Sequence, residues 1–161
     1  MPEPDYTVTT LNLSKRNLTK LPSDLHLYTQ LKTLYCDRNY LTQLGPLPPS
    51  LTYLSCEFNR LTSLGELPLG LETLVCHNNS LTSLGTLPPY LKYLTCHDNH
   101  LTALGLVPSG LLSLKCQNND LTKISYLPST LQTLVCDQTH DKPIDIENIP
   151  DSLTYFRYRN Q

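Results

Sequence analysis

The chain has 161 residues, 39% of them hydrophobic, and a formal net charge of −2. Its 12 basic residues are scattered, with no run longer than Lys15-Arg16, which argues against a nucleic-acid or membrane-surface footprint. No apolar stretch reaches the roughly 18 residues of a membrane helix, and the opening MPEPDYTVTT lacks the basic and apolar regions of a secretory signal.

Taken in order, the chain is expected to form one domain over 1–161, with an N-cap over 1–7. Val8, Leu11, Leu13, Leu18 and Leu21 outline a first unit of 23 residues, its three extra residues falling within Ser23 to Gln30. From residue 31 the period is twenty: Cys36, Cys56, Cys76, Cys96, Cys116 and Cys136 are evenly spaced and are all the cysteines present. A constant period near twenty marks a solenoid. The unit reads LxxLxCxxNxLTxLGxLPxx, and units begin near 8, 31, 51, 71, 91, 111, 131 and 153. Asn39, Asn59, Asn79, Asn99 and Asn119 form one column, and Gly45, Gly65, Gly85 and Gly105 another. Toward the end Thr139 replaces Asn and Asp141 replaces Leu, and residues 139–161 read as a C-cap. There Leu153, Phe156 and Tyr158 are expected to cover the last open edge.

Leu and Cys alternate with outward positions in LxxLxC, a period of two that predicts a short strand. Eight such strands, stacked about 4.8 Å apart, make a ladder on the order of 35 Å long. The residues left to close each coil hold Gly and Pro, so no helix is expected there. Gly in the turn should supply a positive φ. The Asn column is expected to bond backbone groups in its own coil and the next.

At this level the chain resembles the leucine-rich repeat family through LxxLxCxxNxL, over roughly residues 8 to 158. The twenty-residue length and the LPxxLxxL link are similar to the short repeats of secreted bacterial type III effectors. An origin in a large DNA virus also fits. Cysteine in place of the third Leu departs from that subclass. The resemblance implies a mainly β fold: a right-handed solenoid with short parallel strands on the concave face and extended or 3-10 convex segments. The catalytic cysteine of effector ubiquitin ligases belongs to a separate domain after the repeats, so that activity is not expected.

The six cysteines are read as a small apolar core column of free thiols, since no CxxC pair occurs. Free thiols suit a reducing compartment, which points to the cytoplasm or nucleus, including the cytosol of a host. Function is expected at the variable outward positions. Tyr35, Tyr53, Val75 and Tyr93 should cluster over adjacent coils, with Phe58 at their border, as anchors for a protein partner. Glu57, His77 and His97 follow in a neighbouring column that runs from acidic to basic and could orient a charged partner. The reading is a non-enzymatic binding module, monomeric or weakly dimeric, without cofactor. Glycan binding stays open. Two alternatives are a self-associating structural protein and a metal-dependent enzyme at His77 and His97 with Glu57.

Overall fold

The structure, a computed structural model, describes residues 5–137 and 143–158. In chain order its strands are β1 (Thr10–Asn12), β2 (Thr33–Tyr35), β3 (Tyr53–Ser55), β4 (Thr73–Val75), β5 (Tyr93–Thr95), β6 (Ser113–Lys115), β7 (Lys123–Ile124), β8 (Thr133–Val135), β9 (Asp145–Ile146) and β10 (Tyr155–Arg157). Eight of them form one parallel sheet in the order β1-β2-β3-β4-β5-β6-β8-β10, while β7 and β9 pair separately. The expected mainly β solenoid is therefore the architecture found.

Register follows the repeat. Leu34 lies opposite Leu54, and Leu54 opposite Leu74, with the same step onward to Leu134. Leu11 pairs with Leu34 in spite of the longer first unit. A 3-10 helix, Leu25–Leu27, takes up the added residues and buries Leu25. Within a coil, Leu31, Leu34, Cys36 and Leu41 are wholly buried, and the same four positions repeat in the next coils. Each unit thus covers its apolar face with its neighbours'.

All six cysteines are buried and free, as a packing column requires. Burial, followed by the charges of Asp37 and Glu57, pushes the Cys36 thiol up to about 12. Thiolate chemistry is suppressed accordingly.

Among the described residues the convex side holds no α-helix. Each coil returns to its strand through a turn in which the Leu51 N–H donates to the Pro48 carbonyl at 3.3 Å, and Pro68, Pro88, Pro108 and Pro128 accept in the same way. Proline suits a position asked only to accept. Gly85 has φ +66°, in the left-handed region expected of its column. After Gly105 the column changes: Ser125 replaces Gly, and the positive φ moves to Tyr126 at 60°. The unforeseen β7–β9 pair forms there, closed by Lys123–Glu147 at 2.7 Å and by the Ser125 hydroxyl donating to Glu147 at 3.0 Å.

The asparagines bond as expected in kind but not in direction. Asn79 Oδ1 accepts from the Leu61 N–H at 3.0 Å. Its Nδ2 donates to the Cys56 and Cys76 carbonyls, each at 3.1 Å. The partners lie in its own coil and the preceding one, not the next. The carboxamide turns back to the Leu61 N–H of the preceding coil, while the backbone N–H groups reach both ways, Cys56 forward to Val75 and Tyr53 back to Lys32.

At the far end Phe156 occupies the inward leucine column beside Leu134 and stacks on Tyr158 at 6.1 Å. The Tyr158 hydroxyl donates to the Ile144 carbonyl at 3.1 Å. Thr139, Asp141 and the last three residues of the expected C-cap lie outside the described residues, as do residues 1–4 of the N-cap.

Candidate partner-binding face

The strand positions that alternate with the buried leucines form the concave surface. Tyr35 and Tyr53 touch there, with ring centroids 5.4 Å apart and planes tilted by 50°. Ser55, the residue opposite Tyr35 in β3, is buried between them and Val75. Tyr93 is 47% exposed, but register puts Thr73 between it and Tyr53. The aromatic surface is therefore a contacting pair plus a tyrosine two strands away. Burial, then the neighbouring Tyr35, Glu57 and Asp37, pushes the Tyr53 phenol above its ordinary value.

Phe58 belongs to a different group. Its backbone is left-handed, φ 50°, which turns the ring toward His77 at 5.3 Å and under the Arg38 guanidinium at 4.3 Å. His77 in turn stacks on His97, with centroids 4.1 Å apart and planes 11° from parallel. Arg38, Phe58, His77 and His97 so make a continuous row across four coils.

Hydrogen bonds hold that row in place. His77 Nδ1 meets Asn78 Nδ2 at 2.9 Å, and His97 Nδ1 meets Asp98 Oδ2 at 2.5 Å. Asn118 donates to Asp98 Oδ1 at 2.8 Å. Burial works against the Asp98 charge, but the bonds from Asn118 and His97 outweigh it and keep the carboxyl below its ordinary range. Burial and then His97 hold His77 down to about 4, so it is a neutral imidazole at physiological pH.

Parallel imidazoles aim their ring nitrogens in parallel planes, so the pair does not converge on a shared ion. Glu57 is turned to the Ser55 hydroxyl, which donates to its Oε2. Among the described residues no group of three His, Cys, Asp or Glu side chains is arranged to hold a metal. Further along the column, Arg157 Nε lies 2.6 Å from Asp137 Oδ2, while Gln117 Oε1 and Asp137 Oδ1 find no partner among the described residues.

Arg38, Asn78 and Asn118 escaped the reading of the sequence as site residues, although each sits at the left-handed position before the asparagine column. The available signal was chemical: Asn78, Asp98 and Asn118 are residue types that tolerate that backbone.

No protein-family model matches the sequence, and a search of curated proteins gives no match. Solved structures do match. YopM from Yersinia enterocolitica WA-314 superimposes with a TM-score of 0.82 at 30% identity, over 98% of this chain and 39% of that one. A Shigella effector leucine-rich repeat domain gives 0.75 at 31% identity, over 90% of this chain and 63% of that one. YopM from Yersinia pestis, a leucine-rich effector protein, gives 0.67 at 28% identity, over 94% of this chain and 49% of that one. The chain thus spans from about two fifths to under two thirds of the structures it matches. With eight parallel strands, twenty-residue coils and these neighbours, it has the leucine-rich repeat solenoid fold in its short, bacterial effector-like form.

Proposed function

We propose that this chain is a non-enzymatic binding module that captures a protein partner on its concave strand face. One observation carries the reading: Tyr35 and Tyr53 are part-exposed and Tyr93 is exposed on strands whose central leucines are buried. Rigid aromatic side chains on a fixed scaffold lose little entropy when they anchor a partner. The likeness to effector structures supports a place of action in the cytosol of a host. No cofactor enters this reading.

Pull-down from host lysate tests it, comparing wild type with the Tyr53→Ala/Tyr93→Ala double variant. The partner should be lost from the variant while the melting temperature stays the same, because neither ring belongs to the core. Unchanged capture would refute the proposal. Self-association is a second reading, favoured by Tyr155 and Phe156, which are 53% and 42% exposed on the sheet's last strand. Light scattering at two concentrations decides it, and a strict monomer removes it.

A further inference from the structure

We infer that the corner formed by Tyr35, Tyr53 and Glu57 is a subsite for a cationic side chain, a lysine or arginine of the segment bound on the concave face. The inference rests on the strand-face reading and gives it a chemistry.

Three features converge. The first is the tyrosine pair. Its tilted rings, 5.4 Å apart, offer the electron-rich faces over which ammonium and guanidinium groups settle. The second is a carboxylate near them. Glu57 follows β3 in the same alternation as Tyr53, and the Ser55 hydroxyl, on the strand between the two, donates to its Oε2. The charges of Glu57 and Asp37 are felt at the Tyr53 phenol, so the groups share one electrostatic environment.

The third is imbalance. Among the described residues, no lysine, arginine or histidine forms an ion pair with Glu57. Asp37 differs, because Arg38 Nε lies 4.0 Å away and the Ser14 hydroxyl bonds its Oδ1. One uncompensated carboxylate beside two accessible phenol rings matches a cation on an aliphatic stem, whose methylenes lie on the rings while its head meets the charge. A carboxylate of the partner would be repelled there. Further along the same face Lys115 is exposed, and among the described residues no carboxylate pairs with it. The basic residue therefore sets the partner's direction, toward β2 and β3.

The test uses tetralysine, its ε-acetylated form and tetraglutamate as probes at low ionic strength, read by the ring signals of Tyr35 and Tyr53 in NMR spectra of the full chain. Tetralysine should shift both rings, and the other two peptides should not. Glu57→Gln, which keeps an oxygen for the Ser55 hydroxyl, should weaken tetralysine binding at least about five-fold. Glu66→Gln, which removes the same charge from the convex side, should leave it unchanged. Three results would overturn the subsite: no tyrosine shift with tetralysine, an equal shift with the acetylated peptide, or equal binding by Glu57→Gln. The strand-face reading fails separately. A lysate partner held equally by wild type and Glu57→Gln but lost from the Tyr53→Ala/Tyr93→Ala variant would sink the cationic subsite and leave the face standing.

Discussion

Asparagine replacements in neighbouring coils should cost more together than their sum. Asn79 serves four backbone groups: it accepts from the Leu61 N–H and donates to the Cys56 and Cys76 carbonyls and, at 3.3 Å, to that of His77, which also accepts from the Phe58 N–H. The carbonyls are shared. Cys56 also accepts from Asn59 at 3.0 Å, and Cys76 from Asn99 at 3.2 Å. Asn79→Ala therefore strands only one group outright, the buried Leu61 N–H, and leaves each carbonyl one donor. A stranded buried N–H costs about 1–3 kcal/mol, which with the weakened carbonyls puts the single change near 2–3 kcal/mol. Adding Asn99→Ala removes the second donor from Cys76. That carbonyl is then unpaired, and the double variant should lose a further ~1–2 kcal/mol beyond the sum. Asn59→Ala with Asn99→Ala is the control, because those two share no carbonyl. Their effects should add to within about 0.5 kcal/mol. Urea unfolding of the wild type, the three single variants and the two double variants measures all of this. Additive behaviour in the Asn79/Asn99 pair would show that the shared acceptors do not couple the coils.

Two other perturbations separate backbone strain and protonation from packing. At Gly85 a Cβ would meet nothing within 4 Å, yet φ is +66°, so Gly85→Ala should destabilise by about 1 kcal/mol. Gly110 has the same free space without a left-handed backbone, and Gly110→Ala should instead stabilise by about 0.4–1 kcal/mol; the same sign at both sites in thermal melts would contradict the assignment. His77, held near 4 in the fold against an ordinary 6.5, takes up its proton later than the unfolded chain does as pH falls. Stability from keeping it neutral is full above pH ~6.5 and declines between there and about 4. His77→Phe should flatten that part of the stability–pH curve, and an unaltered slope would show that other groups set it.

The scaffold could be read in advance because packing repeats. A side chain wholly buried in every coil, such as Leu34 or Cys36, admits few substitutes, so its column stays visible across the chain. The Asn column is visible for a related reason: few side chains both donate and accept at so short a reach. Its direction was not visible, because donors toward the preceding and the following coil look alike until the strand ladder is known. The candidate site was less legible. Phe58 lies two residues past the buried Cys56, a spacing that by itself sets it at the border of the tyrosines, but the left-handed turn at that position carries it to His77. That turn is occupied by Arg38, Phe58, Asn78, Asp98 and Asn118, so no single residue type announces it. The β7–β9 pair arises where the glycine column lapses, a change that alternation and periodicity do not register.

Among the described residues, the side chains of the column Asn39 to Asn119 bond to groups in their own coil and the preceding one, and this bears on how the molecule comes into being. A ribosome releases the chain in that same direction. Each new coil emerges with a carboxamide whose acceptors and donor already stand in the coil before it or in its own backbone. Its side-chain bonds can close at once, with nothing still to be synthesised. The solenoid is therefore suited to being laid down coil by coil on a finished surface, and its growth has a polarity set by one amide per turn.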